Sequence, residues 1–426
     1  MAKTKTTKKS AQKAGAKKVV AKKVVTKKSV KAKAAKPAAK AKVAAKKPVK
    51  AKASAKPAVK AKKAVKKPVA KAKVAVKKPV AKAKVVAKKP AKPSAKSAVK
   101  AKPSAKPVEK AAAPLRFVNL RKAYGEALAE AGRKNKDIVV LEADLGKSTM
   151  SYMFKEIFPD RFFEMGIAEQ NMTSAAAGFA LAGKIPFTGT FAVFASGRAY
   201  DQIRCSIAIP KANVKIIGSS CGLSDYGDGK THQSIEDGNV IRAMPYMTVL
   251  NPADAEEVKK MIPAVIKHKG PVYIRINRND LPVLTNLKGE YQIGKIYPIT
   301  EGKDVVIFAT GVMVSKSVEA AAKLKAKGIS VQVVNVSTLK PLYKKEVMKY
   351  AAGKKAIVTA EEAVYNGGLG QAIASLVIGE VKAKFEMVAI DDKFGTSAHG
   401  YEELLVKYGL SADHVYKAVL KALKSK

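Results

Sequence analysis

The chain changes character at one point, and that point decides where folding can begin. Before Leu115 there is no Phe, Tyr, Trp, Leu or Ile, and Met1 to Pro114 holds 40 Lys, no Arg and one acid, Glu109. That stretch carries +39 of the chain's +50, leaving +11 on residues 115–426. Ala and Val alone bury too little apolar surface to offset the entropy of ordering a chain, and neighbouring lysines repel one another. Residues 1–114 are therefore predicted to form a disordered basic tail, with globular structure confined to residues 115–426.

The tail is repetitive. "KKPVAKAKV" occurs at 66–74 and again at 77–85, and Lys-Lys-Pro also begins at 46 and 88. Proline at such intervals limits any helix to short turns. Without aromatic rings there is no base stacking, and without Arg, Asn or a structured helix there is no groove readout. What remains is neutralisation of phosphates, which is sequence-independent and weakened by salt. In composition the tail resembles the Lys-Ala-Pro tails of linker histones and bacterial histone-like proteins, which implies non-specific binding to DNA, RNA or another polyanion. A solvated polycation with no dedicated partner is the plainer alternative.

Cys205 and Cys221 are the only cysteines, which makes neither a disulfide framework nor metal-ligand spacing and suits a reducing compartment. No run approaches the ~18 apolar residues of a membrane span, and the N-terminus lacks the apolar core of a secretory signal. A transit peptide should be rich in Arg and Ser, unlike this tail. A cytoplasmic protein with no membrane partner is expected, with nucleoid association through the tail.

From Leu115 the pattern alternates. Residues 137–144, 184–191, 213–220, 247–252 and 271–277 read as short buried strands, while 119–133, 168–182, 194–209 and 253–267 have helical spacing. After a polar stretch near 285–303 the alternation restarts, with strands at 304–311, 329–339, 355–363 and 385–391 and helices near 314–327, 343–351, 367–380 and 413–424. Such alternation predicts an α/β fold of two consecutive domains, 115–285 and 300–426, each a mainly parallel sheet covered by helices. The glycine-rich turn at 367–370 opens one helix, more often a tight turn than a phosphate cradle.

The chemistry concentrates between Glu164 and Pro252. "EMGIAEQNM" (164–172) sets Glu169 at the start of a helix, where the dipole favours a carboxylate. A first-turn acid alone would be unremarked, but "GTFAVFASGRAYDQIR" (189–204), "DYGDGKTHQSIED" (225–237) and "MPYMTVLNPADAEE" (244–257) come after it in order. This series closely resembles the pyrimidine-binding domain of transketolase followed by that family's C-terminal domain, across essentially all of 115–426. The resemblance implies a thiamine diphosphate enzyme that transfers a two-carbon ketol unit between sugar phosphates. Glu169 stands where the family's Glu exchanges a proton with the aminopyrimidine ring to activate the thiazolium carbon. Phe191 and Phe194 fall on the positions that pack against that ring, and Asp144 on an acid near the thiazolium. Asp228 and His232 match groups that contact the sugar donor, His232 also assisting proton transfer. Arg121, Ser148 and Arg278 match phosphate-binding positions, a role suited to the planar guanidinium fork.

Two positions depart from the pattern. Gly197 stands where many relatives carry a third aromatic, which predicts a looser ring pocket. Ser220 replaces a phosphate-binding His eight residues before Asp228, which removes a positive charge from the expected sugar-phosphate site. The family's metal and diphosphate motif, Gly-Asp-Gly followed some 25 residues later by Asn, is matched only by Gly227-Asp228-Gly229 and Asn251. These lie inside the His232 loop and at an Asn-Pro turn, so they read as a decoy. The implication is a split transketolase. A separate N-terminal subunit would hold Mg2+ or another divalent metal, this chain would supply no metal ligand, and two of each subunit would assemble. Within the enzyme class the rival is 1-deoxyxylulose-5-phosphate synthase, which shares "RAYDQ" and the Asp-Gly…Thr-His pattern, although the His-Gln-Ser-Ile-Glu run is closer to transketolase. The β subunit of a 2-oxoacid dehydrogenase fits that loop less well. The rival outside the class is a nucleoid-associated protein with a vestigial enzyme half.

Overall fold

The computed structural model describes residues 115–424, so the expectation for the tail lies outside the described residues. Chain order runs β1 (Phe117–Asn119), β2 (Ile138–Glu142), β3 (Phe162–Glu164), β4 (Ile185–Phe191), β5 (Lys215–Ser219), β6 (Thr248–Leu250), β7 (Val272–Ile276) and β8 (Asp280–Pro282). It continues with β9 (Tyr297–Pro298), β10 (Val305–Ala309), β11 (Val331–Asn335), β12 (Thr338–Lys340), β13 (Ala356–Val364) and β14 (Lys384–Ile390). Among the described residues, one sheet has the order β12-β6-β7-β5-β4-β2-β3 and another the order β14-β13-β10-β11-β9, while β1 and β8 form a small antiparallel pair. Both large sheets are parallel except at one edge each, where β12 runs against β6 and β9 against β11. β2, β4, β5, β7 and β10 are buried at every position, which explains why apolar residues follow one another in them: strands covered by helices on both faces need no polar alternation. This is the predicted α/β architecture of mainly parallel sheets.

Two elements differ from the reading of the sequence. The run at 329–339 is two strands: β11 stays in the five-stranded sheet, and β12 crosses to cap the edge of the seven-stranded one. The break lies where Asn335 Nδ2 donates to both Glu257 carboxylate oxygens (2.9 Å each) and Asn251 N donates to Ser337 O (2.8 Å), drawing the chain from one sheet to the other. The helix expected over 194–209 is three pieces, Ala192–Gly197, Tyr200–Gln202 and a wider-turned π segment, Ile203–Ala208.

Strand order also fixes where a ligand can enter. From β2 the chain moves outward to β3, whereas from β4 it moves the other way to β5. The loops leaving β2 and β4 therefore diverge, and a crevice opens beyond the carboxyl ends of these adjacent strands.

Candidate active site

The candidate site residues follow strand ends: Asp144 and Ser148 come after β2, Glu169 after β3, Phe191 and Phe194 at the end of β4, Asp228 and His232 after β5 and Arg278 after β7, with Arg121 on the helix after β1. Asn119 caps the helix Leu120–Lys134 by accepting from Arg121 N and Lys122 N (3.1 and 3.2 Å), which sets Arg121 in the first turn. Arg121 Nη1 donates to Ser148 O in the loop after β2 (2.9 Å). Burial, then the nearby Arg278, lowers the Arg121 pKa, and among the described residues its buried Nε has no acceptor. Arg278 follows β7, and its Nη1 lies 2.5 Å from Asp225 Oδ1. Burial raises Asp225, opposed by Arg278 and reinforced by Asp228. Two guanidinium groups within electrostatic reach of one another, one with a spare buried donor, have the chemistry to take up an anion.

The loop that starts at Asp225 carries Asp228 and His232. Asp228 is exposed, and His232 is half-buried with Nδ1 3.0 Å from Thr231 Oγ1. The His232 ring meets Phe194 edge-on at 5.3 Å and Phe191 at 6.2 Å, while the two phenylalanine rings stack 6.1 Å apart. The Arg198 guanidinium sits 4.1 Å from the Phe194 ring centre and donates from Nη1 to Glu169 Oε1 at 2.9 Å. Glu169 is 3% exposed and opens the helix Glu169–Leu181. Contacts thus run from Glu169 through Arg198 and Phe194 to His232, and a second set joins Asp228 to Asp225 and Asp225 to Arg278, whose charge is felt by the Arg121 that donates to Ser148 O. Asp144, left-handed at φ 58°, shares with Ser148, Lys147, Tyr152 and Glu164 a cleft of about 510 Å3, and its amide donates to Glu164 Oε1 (2.7 Å).

Arg198 and Asp225 were not singled out in the sequence, though both lie inside the motifs that carry the resemblance. Arg198 follows Phe194 by four residues, the helical spacing that stacks a cation on a ring. Asn251 is buried and donates to Thr310 Oγ1 (3.1 Å). The amides of Leu369 and Gly370 in the glycine-rich turn already donate to the Glu361 carboxylate (2.7 and 2.8 Å). Ser220 is fully buried at φ 54°, and the hydroxyls of Ser220, Ser219 and Thr190 are buried without partners among the described residues. Beneath the crevice, Glu142 accepts from Ser151 Oγ (2.6 Å) and Thr149 Oγ1 (3.0 Å), and burial pushes its carboxyl up to about 8.

A buried carboxylate beside stacked aromatic rings suits a planar nitrogen heterocycle, and the guanidinium pair suits an anionic substrate group. Among the described residues there is no cluster of three or more His, Cys, Asp or Glu able to hold a metal.

Residues 117–283 match the transketolase pyrimidine-binding domain, and residues 294–415 match the transketolase C-terminal domain. A transketolase C-terminal section from Methanocaldococcus jannaschii is 40% identical over 311 residues, covering 72% of this chain and 97% of that protein. Human transketolase is 37% identical over 305 residues, and the match spans 70% of this chain but 48% of the human protein. A solved structure described as a split gene transketolase, inactive beta4 tetramer, is 43% identical, with a TM-score of 0.65, covering 72% of this chain and 98% of that one. The chain belongs to the transketolase family, as the counterpart of its C-terminal section.

Proposed function

We propose that this chain is the C-terminal subunit of a split, thiamine diphosphate-dependent transketolase that transfers a two-carbon ketol unit between sugar phosphates. The observation that carries the reading is the pair of contact sets on one loop and its neighbours, Glu169–Arg198–Phe194–His232 with groups for a heterocycle and Asp228–Asp225–Arg278, near Arg121, with groups for an anion. When bound, thiamine diphosphate supplies the nucleophilic carbon that carries the ketol unit. Glu169 would hold and move a proton at its carboxyl against the aminopyrimidine, Phe191 and Phe194 would wall that ring, and Asp144 would face the thiazolium end. His232 and Asp228 would bind and orient the donor's oxygen groups, with His232 shuttling a proton at its imidazole. Arg121, Arg278 and the Ser148 hydroxyl would hold the sugar phosphate, with Ser220 in place of a charged group.

The diphosphate and its divalent metal, Mg2+ or another, fall to a separate N-terminal subunit in this reading, and two copies of each subunit would make the working assembly. A similar protein described as an inactive beta4 tetramer supports the view that the C-terminal chain associates with itself but does not act alone. The tail, by its charge, would bind DNA or RNA without sequence preference. A 1-deoxyxylulose-5-phosphate synthase-like activity is distinguished by the acceptor used.

The test is reconstitution. The purified chain should turn over no ketose phosphate with thiamine diphosphate and Mg2+, and should gain activity when its diphosphate-binding subunit is added. Turnover by the chain alone, or none by the mixture, contradicts the proposal.

A further inference from the structure

The loop carrying Asp228 and His232 has little regular structure of its own. Between Ser219 and Asp237 it contains one short turn of 3-10 helix, and Ser220, Gly222 and Gly229 all adopt left-handed backbone (φ 54°, 65° and 75°). A segment bent this way has no local reason to hold one shape, so its geometry must be imposed by what packs on it.

That surface comes from the C-terminal half of the fold. Glu362, in β13 and 4% exposed, accepts from Leu223 N at 2.8 Å through Oε1. The same oxygen accepts from Tyr401 Oη (2.8 Å), which in turn accepts from Asn277 Nδ2 (2.8 Å), the residue before Arg278. The carboxyl lies so close to Gly222 that a Cβ there would collide with it. Further along, Gln233 Nε2 bridges Asp225 O (3.2 Å) and Thr396 O (3.0 Å), and Ala398 N donates to Tyr226 O (2.9 Å). Gly229 is pressed against Ser397, with no room for a Cβ. One hydrogen-bonded chain therefore reaches both ends of the anion and donor groups, Leu223 on one side and Asn277–Arg278 on the other. Such chains polarise and stiffen their members.

We propose that Glu362 is a positioning residue for the donor loop, resting on the proposed role of Asp228 and His232 as donor-binding groups, and that the C-terminal domain acts as the template on which this half of the active site is shaped. Glu362 touches neither substrate nor cofactor; it acts through Leu223 N and, by way of Tyr401, through Asn277. Burial pushes its carboxyl up to about 7, so the neutral isostere Gln is a fair mimic that keeps the accepting oxygen.

The test compares Glu362→Ala with Glu362→Gln in the full-length chain. Amide hydrogen exchange over residues 222–233 should quicken at least tenfold in the Ala variant and return close to the parent rate in the Gln variant, while the helix Ala255–Lys267 keeps its protection. In the enzyme reconstituted with its partner subunit, the KM for fructose 6-phosphate as donor probe should rise about tenfold or more in the Ala variant. Its kcat should change less, and the Gln variant should recover most of the loss. If Glu362→Ala fails to fold, Tyr401→Phe removes a single hydroxyl from the chain and should quicken exchange in the same loop. Unchanged exchange over 222–233, or equal behaviour of the Ala and Gln variants, overturns the proposal. His232→Ala in the same assay separates the two readings. If it leaves donor kinetics untouched, the donor-site assignment falls and takes the template with it. If it impairs them while Glu362→Ala does not, only the template falls.

Discussion

A carboxylate that must trade a proton with a ring nitrogen has to be dry, fixed and within reach of an apolar wall. Glu169 meets these demands: it is 3% exposed, held by Arg198 at 2.9 Å, and lies on the same row of contacts as Phe194. Glu169→Gln keeps the shape and removes the titratable group, so deuterium exchange at C2 of the bound cofactor in the reconstituted enzyme should slow by about 100-fold or more. His232→Ala should leave that exchange intact and depress turnover of the donor; unchanged exchange in the Gln variant counts against the role of Glu169. Glu142 makes a different prediction, about stability. Its folded-state pKa of about 8 lies above the ordinary 4.5, with burial as the main cause, the Ser151 and Thr149 hydroxyls opposing and Glu164 adding; Tyr124 also faces it. Between pH 4.5 and 8 the folded chain keeps a proton that the unfolded chain has lost, so this group's contribution to stability falls as pH rises through that window. Glu142→Gln abolishes the slope, by up to about 1.4 kcal/mol per pH unit. The variant's thermal midpoint relative to the parent should therefore be higher at pH 8 than at pH 5. The same difference at both values would show that the Glu142 carboxyl does not titrate in this window.

Elements, by contrast, answer to partners far along the chain. Arg275 on β7 and Asp237 at the start of the helix Asp237–Ala243 form an ion pair at 2.9 Å with both side chains essentially inaccessible, and Tyr273 Oη also donates to Asp237 (2.9 Å). Asp237→Ala strands a buried guanidinium and should cost about 3–5 kcal/mol, read as a lower urea midpoint; a loss under about 1 kcal/mol would mean that Glu362, close by, takes over the pairing. Most strands and helices were legible from local pattern because a parallel strand buried on both faces writes its position as a short apolar run, as Ile138–Glu142 and Val305–Ala309 do. The split of β11 from β12 was not, because no Gly or Pro marks a break between Val331 and Lys340 and the break is dictated by Glu257, 78 residues from Asn335. The candidate site divides the same way. Glu169, Phe191, Phe194 and His232 stand in recognisable runs, and the structure brings them together. Arg198 was hidden because its partner lies 29 residues back, and Glu362 because its contact with Leu223 spans 139 residues. Pairings of that kind exist only in the folded chain.

At the scale of the whole molecule the puzzle is one of charge. A body of +11 is joined to 114 residues carrying +39, with one acid and no aromatic ring among them. Every residue assigned to the site lies at or beyond Arg121, so catalysis and polyanion binding should be separable. Counterion release makes log K fall with log salt at a slope of about −0.9 for each phosphate neutralised on duplex DNA. If only about ten lysines engage together, affinity should drop by ~10³-fold or more between 50 and 200 mM salt. Gel retardation of unrelated DNA duplexes of equal length should give equal affinities for the full-length chain, and deletion of residues 1–114 should abolish retardation. The truncated chain, mixed with its partner subunit, should keep full transketolase activity. Equal DNA affinity with and without the tail, or an affinity indifferent to salt, would refute the assignment of binding to these lysines. Activity lost on truncation would instead give the tail a part in joining the two subunits, because every residue assigned to the reacting groups lies at or beyond Arg121.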